Sequence, residues 1–362
     1  MLEPHDVMTK FASNLPEDPT VFRQLRDAGI TCGLLTWLLV AGCSRSPTPS
    51  AVPPVTGTTT AKTPVKITGA TSKNAWCTLT ILAQKQGYLR DEGLDVDLQY
   101  VQAAKLAMDA LVGGSSQFSN VVETNMAFLG YSGNANVRLI ATHCESRDGA
   151  IIARRDAGIA APKDLEGKKL GVLQGTTSQI FAERFIEKNN LDLAKVQIVN
   201  LTPVAIQTSV LSNDIDAGSV WQPFVYNIRK QLGENAVIFG DPEAYTAYMN
   251  LAVNKDWAAK HPDLVQALLR AHIKAEKFAE EHREEAISLV AAEIGLDKTI
   301  LSDFWDQYTF QVRLKPSLIA EIRREGEWIR RSDSKFADKT VPTYDGAVDG
   351  QYLKAVDPIR VE

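Results

Sequence analysis

Leu170-Gly171-Val172-Leu173-Gln174-Gly175-Thr176-Thr177-Ser178 decides how the rest of this chain is read. Leu170–Leu173 is a short apolar run of strand length. Gly175 permits a tight turn, and the hydroxyl residues after it open a helical pattern that continues from Ser178 to Lys188. A short helix and turn over 162–169 precede the run, and a second strand over Val196–Val199 follows the helix. Strand, turn, helix and strand in that order describe a parallel sheet covered by helices.

The same rhythm extends in both directions. Upstream, strands are expected at 65–70, at 94–101 (where apolar and polar residues alternate strictly), at 118–122 and at 137–142. Helices are expected at 76–88, 103–112 and 124–131, the second stopped by Gly113-Gly114. The rhythm restarts near Ile151. Helix 204–211 and strands 217–221, 236–239 and 250–253 follow, and then a mostly helical tail at 262–281, 284–293, 297–307 and 316–331. The charge run Glu280-Glu281-His282-Arg283-Glu284-Glu285 reads as a solvated helix face.

At the other end, an apolar run from Gly29 to Val40 is too short to span a bilayer and closes on Leu38-Leu39-Val40-Ala41-Gly42-Cys43. It resembles a bacterial lipobox, which implies a lipoprotein signal peptide over 1–42 and a lipid on Cys43. From Ser44 to Pro64, 14 of 21 residues are Ser, Thr or Pro, too little apolar surface to fold, so 43–64 reads as a tether. Beyond residue 42 the chain has 36 basic and 39 acidic residues, a net charge of −3, which is no footprint for nucleic acid. About 300 residues of ordinary globular composition suggest two lobes. Cys77 and Cys144 are expected to be buried and free. The five histidines lack metal-ligand spacing, so neither metal nor cofactor is expected.

Ligands of open parallel sheets bind beyond the carboxyl ends of the strands. Three such ends are distinctive. In Ser72-Lys73-Asn74-Ala75-Trp76, Asn74 offers donor and acceptor and Trp76 an indole wall; an N-cap and a core aromatic would read the same way. In Ser119–Asn125, the residues Asn120, Glu123 and Thr124 either face a ligand or cap the following helix. In the third, Gly175, Thr176, Thr177 and Ser178 place backbone N–H groups and hydroxyls at the positive end of a helix dipole. That arrangement holds a carboxylate, sulfonate or phosphate, or is a self-contained cap. Catalysis is poorly supported. There is no Gly-x-Ser-x-Gly elbow, and His143 and Cys144, adjacent on a strand, point to opposite faces.

Taken in order, four stretches resemble the nitrate/sulfonate/taurine-like group of solute-binding proteins of bacterial ABC importers, which also has members for thiamine-precursor pyrimidines and riboflavin. They are Ala83–Leu94, Ala161–Val172, Gln174–Ser178 and Asp216-Ala217-Gly218-Ser219-Val220-Trp221-Gln222-Pro223-Phe224. The resemblance implies a two-lobed α/β periplasmic-binding-protein fold. Each lobe would be a mainly parallel sheet flanked by helices, and a two-strand hinge would join them. The first lobe would take 65–147, the second 148–244, and the chain would return to the first over 245–362. Trp76 and Trp221 would face the ligand's apolar part and Thr176–Ser178 its anionic or acceptor end. The partners implied are a permease with its ATPase and, through the lipid, the extracytoplasmic face of the cell membrane; the protein would be a monomer and not an enzyme.

One departure bears on the ligand. Gln222 stands where the group usually has an acidic residue suited to an ammonium, which weakens a taurine reading unless Glu123 enters the cleft. A singly charged sulfonate is narrowly favoured. A neutral heterocycle would use the same indoles with Asn74, Asn120 and Gln222. A sensor partner of a signalling receptor is also open; an enzyme of the pyrimidine-synthase type is least favoured.

Overall fold

The computed structural model describes residues 63–134 and 136–362. The expected signal peptide, the lipid site Cys43 and nearly all of the tether lie outside the described residues.

Two sheets organise the chain. The first contains β1 (Val65–Ser72), β2 (Leu94–Val101), β3 (Phe118–Val122), β4 (Val137–Ser146), β10 (Ala247–Asn254) and β11 (Tyr308–Thr309), in the order β11-β4-β10-β3-β1-β2. The second contains β5 (Ala150–Arg154), β6 (Lys169–Val172), β7 (Gln197–Asn200), β8 (Ala217–Val220) and β9 (Ala236–Gly240), in the order β7-β6-β8-β5-β9. Strands β1, β2 and β3 are mutually parallel, as are β6, β7 and β8. The exceptions are the short edge strand β11, antiparallel to β4, and the strands at the crossovers. Strand β5 enters the second sheet antiparallel to β8 and β9, and β10 returns antiparallel between β3 and β4. A chain that passes from one sheet to the next and back must enter from the opposite end, so the parallel rhythm read in the sequence breaks there.

Close packing rests on two glycines without room for a side chain, one under a helix and one beside a neighbouring strand. A Cβ on Gly218 of β8 would come within 2.2 Å of Ile206, on the helix Pro203–Ser212 above it. A Cβ on Gly69 of β1 would meet the Phe118 ring at 2.3 Å. The expected helix at 76–88 is divided. A 3-10 turn, Ala75–Cys77, leads into Thr78–Lys85, and Gly87 at φ +77° starts a separate turn, Tyr88–Asp91. The long helix Pro262–Glu281 buries Leu264, Val265, Leu268, Leu269, Ala275 and Phe278 along one face, while the charge run beyond it is mostly exposed. Strand β5 and the helix Phe224–Leu232 were not anticipated, although the helix is amphipathic and buries Val225 and Ile228 on one face. Cys77 and Cys144 are both buried and free.

Candidate functional site

The first crossover, Arg147-Asp148-Gly149, joins β4 to β5, and residues 241–246 make the second, from β9 to β10. Against them the exits of β1, β6 and β8 converge. Trp76, Ser146, Asp148, Thr177, Ser178, Phe181, Ser219, Trp221, Tyr245 and Ala247 line a narrow, partly open recess with only about 10 Å³ of free space, room for one water. The indoles of Trp76 and Trp221 lie against each other, centroids 6.1 Å apart and planes tilted by 46°. They come from different sheets, so the cleft between the lobes is shut on its aromatic walls.

The Gly175–Ser178 turn divides its polar groups between fold and cleft. Gly175, at φ +73°, donates its amide to Gln179 Oε1 at 2.9 Å. The Thr176 hydroxyl donates to the Leu173 carbonyl at 2.7 Å and accepts from the Ser178 amide at 3.3 Å, a helix N-cap. Ser178 Oγ donates to the Ser219 carbonyl at 2.7 Å and accepts from the Leu173 amide at 3.1 Å, while Ser219 Oγ donates back to the Ser178 carbonyl. Thr177 differs. It lines the cavity, its hydroxyl has no hydrogen-bond partner among the described residues, and its amide, first in the helix Thr177–Lys188, has no acceptor inside that helix. Of the four residues, Thr177 alone has its hydroxyl free for a ligand.

Asp148 is a cleft residue the sequence did not reveal. It is 4% exposed, and all four of its partners donate to it. Oδ2 accepts from Trp76 Nε1 at 3.0 Å, Tyr308 Oη at 2.9 Å and the Gln222 amide at 3.3 Å; Oδ1 accepts from Ser146 Oγ at 2.6 Å. Burial raises its carboxyl above the usual range, and the donors pull it back. Nothing in a lone aspartate between two strands marks it in sequence. Phe181, Ser219 and Tyr245 were missed for the same reason.

The other candidates lie elsewhere. Asn74 caps the 3-10 turn, accepting from the Trp76 amide at 3.1 Å. Asn120 is buried in the first lobe, donating to Thr71 Oγ1 at 2.9 Å and Thr80 Oγ1 at 2.7 Å. Gln222 turns its side chain away, and its Oε1 accepts from the Tyr226 amide at 3.1 Å. It borders an outer groove of about 800 Å³ with Arg147, Arg229 and Gln307. That groove is far larger than the cavity, but neither indole nor the Thr177 turn lines it, so the converging chemistry and not the size marks the site.

Glu123 and Thr124 belong to a buried acidic cluster behind the cleft. Glu123 accepts from Tyr245 Oη and, at 2.7 Å, from the Tyr248 amide. Glu325 Oε1 lies 3.2 Å from both Tyr245 Oη and Thr124 Oγ1. Burial pushes the Glu123 carboxyl up to about 7 and Glu325 well above the carboxylate range. Arg184 of the second lobe pairs with Glu321 at 2.7 Å and lies over the Tyr245 ring.

No thiolate–imidazole pair forms. Burial raises the thiols of Cys77 and Cys144, and the buried His143 ring, held well below its usual pKa, has no hydrogen-bond partner for either nitrogen. Among the described residues no group of three or more His, Cys, Asp or Glu side chains is placed to hold a metal ion.

Known proteins resemble this arrangement. A Bacillus subtilis protein provisionally described as aliphatic-sulfonates-binding is 25% identical over 232 residues, 62% of this chain and 68% of its own. The periplasmic aliphatic sulphonate binding protein SsuA of Escherichia coli superposes with a TM-score of 0.68 at 18% identity, over 80% of this chain and all of that one. The desulfurization enzyme DSZB also superposes, with a TM-score of 0.61 at 17% identity, over 80% of this chain and 98% of its own. At such identities the structures show a shared fold, the periplasmic-binding-protein fold expected from the sequence. The profile of the family described as NMT1/THI5 like matches residues 74–286, more than half of the chain, and the chain belongs to that family.

Proposed function

We propose that this protein is the solute-binding component of an ABC importer, taking a small sulfonate-like anion between its lobes and delivering it to a permease. The observation that carries the reading is Thr177, a free hydroxyl and a free first-turn amide at a helix N-terminus, facing a narrow recess lined by two indoles. Those donors suit a singly charged acid group, and the indoles suit an apolar body. The B. subtilis relative supports the same class. On this reading the lobes divide at 147/148 and 244/245, Cys43 carries the lipid, and the protein works as a monomer on the outer face of the membrane. Both thiols are buried, which disfavours a nucleophilic enzyme built on this fold.

Asp148 favours a second reading. A buried carboxylate in the cavity wall suits a neutral heterocycle better than an anion. Native mass spectrometry of the purified protein, followed by thermal-shift titration of methanesulfonate, an aromatic sulfonate, taurine, nitrate, an aminopyrimidine and riboflavin, separates the two. Stabilisation by a sulfonate supports the first reading; stabilisation by a heterocycle alone replaces it with the second.

A further inference from the structure

Glu123 stands behind the cleft, but Tyr245, which lines it, is held by Glu123. The antiparallel register of β3 and β10 sets Val122 opposite Met249. The next residue, Glu123, opens the helix Glu123–Tyr131 and so stands beside the start of β10. Its two carboxyl oxygens are spent on two points of the chain that enters that strand. Oε1 accepts from Tyr245 Oη, and Oε2 accepts from the Tyr248 amide at 2.7 Å. Glu123 is 0% and Tyr245 6% exposed, and a buried hydroxyl deprived of its acceptor is costly, so this bond fixes where the phenol ring lies. Glu325 approaches the same hydroxyl at 3.2 Å, but its Oε2 has no partner among the described residues. Glu325 therefore holds the ring at one point, whereas Glu123 holds the segment at two. The ring lines the recess together with Trp76, Thr177 and Trp221.

We infer that Glu123 is a positioning residue of the solute site: acting through the Tyr245 hydroxyl, it fixes that ring as a wall of the cleft. This rests on the reading of the cleft as the solute site. A wall already in place spares the solute the cost of ordering it. The ring has a second contact, from the opposite lobe. The Arg184 guanidinium lies over it, 5.2 Å from the centroid, and Arg184 itself pairs with Glu321 at 2.7 Å. Arg184 belongs to the helix Thr177–Lys188 of the second lobe, whereas Glu123 follows β3 of the first. A movement of the lobes carries Arg184 with the second one and leaves the hydroxyl anchor with the first. The ring therefore keeps its place on the first lobe while the turn at Thr177 closes toward it.

Tyr245→Phe keeps the ring and removes its hydroxyl. Titrated by calorimetry with methanesulfonate, or with riboflavin should methanesulfonate not bind wild type, it should bind about three- to tenfold more weakly, the cost of ordering one freed side chain. Glu123→Ala should weaken binding at least as much. Glu123→Gln, whose amide oxygen can still accept from Tyr245, should recover most of that loss. The double variant Glu123→Ala/Tyr245→Phe should bind no worse than Glu123→Ala alone, since both changes act through one bond. Should Glu123→Ala fold poorly, Tyr245→Phe weakened beside a near-normal Glu123→Gln carries the same conclusion. Wild-type affinity in Tyr245→Phe overturns the inference, as do losses that multiply in the double variant or a glutamine that fails to rescue. Hydrogen exchange tests the anchor without any solute. The Tyr248 amide should exchange at least about tenfold faster in Glu123→Ala than in wild type and at the wild-type rate in Tyr245→Phe; an unchanged rate in Glu123→Ala overturns the anchor. If neither probe binds wild type, the solute reading falls and the wall goes with it, an outcome distinct from a wild type that binds beside silent variants.

Discussion

Thr177 and Ser178 are neighbours with hydroxyls, and mutating them should have opposite consequences. Ser178→Ala deletes an acceptor for the Leu173 amide and a donor to the Ser219 carbonyl, and Ser178 is only 3% exposed. Each partner orphaned in a buried site costs about 1–3 kcal/mol, so roughly 2–6 kcal/mol of stability should go. In a folded unit of this size that corresponds to a melting temperature lower by about 4–12 °C. Thr177→Ala removes a hydroxyl that bonds to nothing among the described residues, so the melting temperature should move by about 1 °C or less. Its ligand, in contrast, loses a hydrogen bond to a charged group, worth about 1.5–3 kcal/mol, or about ten- to hundredfold in Kd. Scanning calorimetry of both empty variants, and titration with whichever compound stabilises wild type, measure the two effects. The reasoning is refuted if Ser178→Ala melts like wild type, or if Thr177→Ala binds as tightly as wild type while Ser178→Ala does not.

Three further outcomes are expected. Trp221, half-buried opposite Trp76, should lose about 2 kcal/mol of ligand binding on truncation to alanine, read by calorimetry; unchanged affinity would remove the apolar-body argument. For Glu123 the folded carboxyl keeps its proton up to about 7, whereas in the unfolded chain it loses it near 4.5. The folded state therefore binds more protons between those values, and this group's contribution to stability falls as pH rises through that window. Glu123→Gln abolishes the effect, so denaturant melts should show the variant gaining on wild type by about 3 kcal/mol from pH 4.5 to 7; a pH-independent difference would show that the carboxyl titrates normally. Finally, Cys43→Ala should leave the precursor uncleaved and without acyl mass in mass spectrometry of membrane fractions, and wild-type protein with an unmodified Cys43 would refute the anchor.

Much of the architecture was legible because it is local. The alternation in Leu94–Val101 and the apolar stripe of Pro262–Glu281 follow from period alone, and both elements have the bounds the pattern gave. So did the turn at Gly175, since a positive φ after a strand calls for glycine. The sequence also identified two indoles at strand exits, Trp76 and Trp221. What it could not assign was the use of each polar atom. Thr176, Thr177 and Ser178 are chemically alike and consecutive, yet only the packing of the helix start against β8 commits Ser178 to Ser219 and leaves Thr177 open. Asn120 and Glu123 read as cleft residues because they sit at a strand exit, but Asn120 is spent on Thr71 and Thr80, and Glu123 on Tyr245 and the amide of Tyr248 in the returning β10. Asp148 had no signature at all: its four donors come from positions 76, 146, 222 and 308. Periodicity and turn chemistry act over a few residues and are written in the chain. Which hydroxyl is spent on the fold, and which carboxylate ends in the cleft, depends on segments 41 to 160 residues apart meeting in space, and only the tertiary structure decides that.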